Sequence, residues 1–161
     1  MRSTLVLLFA GLTAISGVPK NTSIRKINIQ AYLEQTEVGA EVCNVHIEFK
    51  KYADVDHDGV EEVIVVGSTC QAGTGGPDIY SVFKAGQDGK LIDISPSNMI
   101  DEFKGKPIFP KDGNWIVSLD FRKGYLIRTH ADSRYDNGSI SLYFKWKNDQ
   151  FELVRVVKSP A

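Results

Sequence analysis

From residue 43 onward, apolar residues recur at every second position, and each such run stops at a short polar or glycine-containing turn. Strand side chains alternate between two faces, whereas a helix needs apolar residues three and four apart, so this pattern commits most of the chain to strands. Cys43, Val45, Ile47 and Phe49 alternate with Asn44, His46 and Glu48. Residues 63–66 are apolar on both faces and suit a central strand. Residues 79–83 and 91–94 flank a hairpin connection at 86–89. Trp115, Val117, Leu119 and Phe121 lead through Arg122, Lys123 and Gly124 into 125–129. Ile140, Leu142, Phe144 and Trp146 turn at Asn148 and Asp149 onto Phe151 and Leu153. The expectation is a mainly β chain, an antiparallel meander or sandwich of about seven or eight strands. Trp115, Phe121, Phe144, Trp146 and Phe151 belong to its core in this reading. Residues 95–110 have no period and carry Pro96, Pro107 and Pro110, which predicts a long loop. Ahead of the strands, 27–36 reads as a short helix capped by Ser23, although Ile27, Ile29, Ala31 and Leu33 also alternate as in a strand.

The N-terminus has the features of an export signal. Met1, Arg2 and Ser3 give a positive start, 5–15 is a compact apolar run, and Ala14, Ile15 and Ser16 fit a small-x-small cleavage pattern. The run falls short of the roughly 20 apolar residues of a membrane span. The expectation is a signal peptide at 1–16 and a single β-rich domain at 17–161, secreted or periplasmic. With 19 basic and 20 acidic residues the chain lacks the basic excess of a nucleic-acid binder. In an oxidising compartment Cys43 and Cys70 are expected to form a disulfide. Two cysteines without a histidine pair do not make a structural zinc site.

Between the first two strands lie Asp54, Asp56, Asp58, Gly59 and Glu62. Carboxylates at alternate positions of a tightly curled loop converge on one hard cation, and glycine permits the sharp turn. The backbone carbonyl of Val60 and the Glu62 carboxylate complete a cage of oxygens that suits calcium better than magnesium. The opening matches an EF-hand loop, but the twelfth position is Val65 and a strand follows, so an EF-hand is rejected. Residues 49–67 instead resemble the FG-GAP (VCBS-type) repeat: an aromatic, a gap, D-x-D-x-D-G-x-x-D/E, then aliphatics ending in a small residue. The resemblance implies calcium held in a β-hairpin loop by Asp54, Asp56, Asp58, Val60 and Glu62. It covers a single copy, whereas propellers of that family need several. Small exported bacterial proteins carrying one such loop often continue into a stretch like Gly73 to Gly76 here.

If the loop closes a hairpin, residue numbers in paired strands sum to about 113. This sets Cys43 opposite Cys70, Val45 opposite Ser68, Ile47 opposite Val66 and Phe49 opposite Ile64. A slip of one would send the cysteines to opposite faces. The loop 71–78, with Gln71, Thr74 and Asp78, follows directly and is read as a partner-binding loop rather than a phosphate cradle, since a strand and not a helix follows it. His46 is expected to face solvent and His57 to point away from the ion. His130, near Asp132, is the one candidate acid–base residue, with no hydrolase or metalloprotease motif around it. The leading expectation is a non-enzymatic, exported, calcium-binding β domain with an envelope or extracellular protein partner. Its role would be binding or envelope structure. The alternatives are a secreted inhibitor or immunity-type protein blocking a hydrolase and, less favoured, a metal-dependent hydrolase.

Overall fold

The computed structural model describes residues 23–36, 44–69, 77–86, 88–109, 114–132 and 138–160. Residues 1–16, expected to be a signal peptide, and Cys43, Cys70, Gln71 and Thr74 lie outside the described residues. The fold is mainly β. Strands β1 (His46–Ala53), β2 (Glu62–Ser68), β3 (Ile79–Ala85) and β4 (Leu91–Asp93) form one antiparallel sheet in sequence order. Strands β7 (Asn114–Arg122), β8 (Tyr125–Asp132), β9 (Gly138–Lys147) and β10 (Gln150–Ser159) form a second antiparallel meander. A 3-10 turn, Ile24–Lys26, and helix α1, Ile29–Thr36, precede them. No helix among the described residues is long and apolar enough to cross a membrane.

The sequence accounts for three layers because β2 is apolar on both faces. Val63 and Val65 meet Ile24, Ile29 and Leu33 on the helical side. Ile64 and Val66 meet Leu119, Leu126, Leu142 and Phe144 of the second sheet. The helix begins where Asn28 accepts the Ala31 amide at 3.2 Å. Ser23 makes no side-chain cap, so Asn28 takes the role expected of Ser23. Turns Lys123-Gly124 and Asn148-Asp149 have positive φ at both residues, the twist that two-residue hairpins require.

Residues 95–109 are more than a loop. They contain a small hairpin, β5 (Glu102–Phe103) with β6 (Lys106–Pro107), turned at Lys104 and Gly105 with positive φ. Ile108 then enters the sandwich core. A period could not reveal two-residue strands, which is why the described residues form ten strands instead of the expected seven or eight.

The register of the first hairpin departs from the simple sum. His46 faces Ser68 and Ile47 faces Gly67, then after a bulge Phe49 faces Val66 and Lys51 faces Ile64. A bulge inserts one residue, so every later side chain changes face. Val45 and Ile47 therefore pack on the helical side, while Phe49 lies 40 % exposed. The pairing expected for Cys43 and Cys70 lies beyond this register, outside the described residues. A second bulge, between Ile116 and Ser118, turns Leu119 and Phe121 inward and leaves Trp115, expected in the core, 56 % exposed. Phe144 and Phe151 are buried, and Phe121 and Trp146 pack against that core.

Gly67 ends the aliphatic run because a Cβ there would stand 2.6 Å from the His46 carbonyl oxygen. That atom is backbone next to the bulge and cannot swing away. Gly67→Ala is therefore expected to destabilise the protein by roughly 1–3 kcal/mol, measured by urea unfolding. An unchanged midpoint would show that β1 shifts freely at this point.

Candidate metal centre in the first hairpin loop

The loop between β1 and β2 is closed by Ala53 facing Glu62. Val55 is 1 % exposed and inserts into the sandwich core, which pins the loop to the domain. His57 and Gly59 have φ of 63° and 85°, which curl the chain back on itself. His57 is exposed, as is His46.

Each of the four carboxylates divides its labour. One oxygen is tied to a loop amide: Gly59 N–H donates to Asp54 Oδ2 (3.2 Å), Asp58 N–H to Asp56 Oδ1 (3.1 Å), Val60 N–H to Asp58 Oδ1 (2.8 Å) and Val55 N–H to Glu62 Oε2 (2.8 Å). These bonds set the side chains in place without using the other oxygen. Of those other oxygens, Asp54 Oδ1 and Glu62 Oε1 are buried with no hydrogen-bond partner among the described residues. Asp56 Oδ2 and Asp58 Oδ2 both accept from the Lys84 ammonium, which reaches across from β3. Asp54, Asp56 and Asp58 each offer an oxygen within 4.8 Å of the others.

Electrostatics follow the geometry. Glu62 is fully buried, and desolvation, reinforced by Asp56 and Asp58, raises its pKa to about 7. The Lys84 hydrogen bond holds the Asp58 carboxyl below its ordinary value. Burial works against the Lys84 ammonium, but its bonds to Asp56 and Asp58 outweigh that and hold its pKa above the ordinary lysine value. Outside the cage, Arg25 makes a two-pronged ion pair with Glu61 at 2.5 and 2.7 Å and stacks 4.5 Å over Tyr52. This pair links the N-terminal 3-10 turn to the hairpin.

The loop thus brings Asp54, Asp56 and Asp58 together; Glu62, tied to the Val55 amide, does not join that triad, and Val60 takes part through its amide rather than through the expected carbonyl. The loop's donor set is all oxygen, and two buried oxygens lacking partners fit a hard divalent cation. The sequence reading missed Lys84 and Val55. Lys84 gives no local signal, because only strand pairing brings it to the loop.

The remaining candidates fare differently. Asp78 is engaged within its own loop base: the Thr69 N–H and Oγ1 donate to it at 2.7 and 2.5 Å. Its exposed carboxylate ties the end of β2 to the start of β3. His130 is 4 % exposed and lies 4.5 Å from the Phe109 ring. Burial, with the neighbouring Arg128 charge, lowers its pKa to about 4, so it is neutral at physiological pH and shielded from solvent. The Asp132 side chain lies outside the described residues. Arg128 is itself 2 % exposed, donating to the Ser97 carbonyl (3.1 Å) and Asn98 Oδ1 (3.0 Å) and lying 5.3 Å over the Phe144 ring. It fastens the 95–109 segment over the second sheet, and burial pulls its pKa down to about 10.

No family model, curated protein or solved structure matches this chain.

Proposed function

We propose that this chain is an exported calcium-binding β domain, secreted or periplasmic, whose ion fixes the β1–β2 hairpin in a binding or envelope-structural role. The observation that carries the reading is the division of oxygens in the loop. Each of these four carboxylates, Asp54, Asp56, Asp58 and Glu62, is positioned by a backbone amide, while Asp54 Oδ1 and Glu62 Oε1 are left buried without hydrogen-bond partners among the described residues. Asp54, Asp56, Asp58, Glu62 and the Val60 carbonyl would hold the ion. Calcium would neutralise carboxylates that otherwise repel one another at short range and brace the hairpin on both sides. With four carboxylates committed to the ion, little of its coordination remains for a substrate, so the reading is non-catalytic. The similarity of 49–67 to the FG-GAP (VCBS-type) repeat supports the same assignment.

Thermal unfolding with excess calcium, magnesium or chelator tests the proposal. Calcium at about a hundredfold excess over Kd is expected to add roughly 2.7 kcal/mol, about 5–11 °C in Tm for a domain of this size. Asp54→Asn should largely remove the shift while keeping an acceptor for the Gly59 amide. A Tm indifferent to calcium and chelator alike would refute the assignment.

A further inference from the structure

The two carboxylate oxygens that complete the cage are held by a side chain of the protein itself. Lys84 lies on β3, opposite Ile92 of β4, and its ammonium bridges Asp56 Oδ2 and Asp58 Oδ2. The Lys84 side chain is 28 % exposed and that of Asp56 only 5 % exposed, so the pair is partly shielded from water. An ammonium has three donors and no acceptor, which suits it to the place of a small cation among carboxylates. A divalent ion bound through the same two oxygens meets the Lys84 charge within a few ångström, and the two cations repel.

Resting on the calcium assignment above, we propose that Lys84 is a tethered competitor for the metal: its ammonium organises the calcium-free loop, and calcium binds by displacing it. Two consequences follow. The hairpin keeps its shape without metal, because Asp56 and Asp58 remain neutralised. The affinity is lowered from what four carboxylates would give, moving the site toward the 0.1–1 mM range of extracellular calcium modules. The site thereby responds to calcium outside a cell and ignores trace amounts. Displacement also releases the end of β3 next to the β3–β4 turn, so the ion's arrival is felt on a second hairpin.

The test compares the wild-type chain with Lys84→Met by calcium titration calorimetry and by melting in chelator. Lys84→Met is expected to bind calcium at least about tenfold more tightly. A unit charge a few ångström from a divalent ion is worth more than the 1.4 kcal/mol that a factor of ten represents. In chelator the same variant should melt below wild type, since its aspartates have lost their counter-ion. Lys84→Arg, which keeps the charge, should not gain affinity, and Lys84→Gln serves if the methionine variant fails to fold. Acetylation of Lys84, mapped by mass spectrometry, should quicken in wild type when calcium is added. Binding by the variant alone also supports the proposal. Equal or weaker binding by Lys84→Met, with wild type binding normally, overturns the competitor role and leaves the calcium site standing. Calcium binding to neither protein overturns both.

Discussion

Glutamine in place of Glu62 is expected to stabilise the calcium-free protein by about 3 kcal/mol above roughly pH 7.5, and at the same time to abolish most of the stabilisation by calcium. Glu62 is fully buried, Oε1 has no partner among the described residues, and burial lifts its pKa from the ordinary 4.5 to about 7. A folded-state pKa above the unfolded one means that the folded protein holds its proton more tightly. The associated stability is complete below about pH 4.5 and is lost as pH rises through about 7. Each unit of difference corresponds to 1.36 kcal/mol, which gives the magnitude above. Glutamine still accepts from the Val55 amide but carries no charge to desolvate. In the proposed calcium site it would also offer a neutral ligand in place of a carboxylate, so the gain without metal and the loss with metal would come from one side chain. Urea unfolding of both proteins in chelator and in calcium decides the matter. Equal calcium-free stability would mean that Glu62 is solvated or paired, and it would remove the main support for the metal site.

Acid should act on this protein through His130, and the Glu62→Gln variant should expose the effect. His130 is held neutral by burial and by Arg128, with its pKa lowered from 6.5 to about 4. Here the folded state binds its proton less tightly than the unfolded state, so stability falls as pH drops through the window from 6.5 to 4, by roughly 3 kcal/mol in total. Glu62 works in the opposite direction over much of the same window. Calcium-free wild type is therefore expected to show a shallow stability profile between about pH 4.5 and 6.5. Glu62→Gln should lose stability steeply there, and adding His130→Leu should flatten the loss. Unfolding midpoints across the window, with the His130 ring followed by NMR, measure both groups. A flat Glu62→Gln profile would show that His130 takes up its proton in the folded state at little cost.

Much of this architecture is legible in the chain itself. The alternation around Leu119, Leu142 and Phe144, and the turns at Lys123-Gly124 and Asn148-Asp149, declare their strands locally. The apolar run after Glu62 declares a strand covered on both sides. The Asp54, Asp56, Asp58, Gly59 and Glu62 spacing is equally local, because a curled loop draws its ligands from consecutive positions. Facing is less legible. Phe49 and Trp115 follow the same alternation as their neighbours yet end up exposed, because a bulge lies within each strand and leaves no mark on the period. The small β5–β6 hairpin escapes for a related reason: two-residue strands have no period to read.

The sequence by itself determined the secondary structure of the sandwich and the identity of the candidate loop, since both depend on residues within one or two turns of each other. Tertiary structure alone decided what surrounds that loop. It buried Glu62, plugged the loop into the core with Val55, and carried Lys84 from β3 onto Asp56 and Asp58. It also placed Arg128 and His130 inside the second sheet, under the 95–109 segment, where their chemistry differs from that of exposed residues. The reason is physical. Desolvation and charge pairing depend on which atoms meet in space, and strand pairing brings together residues that no local pattern relates.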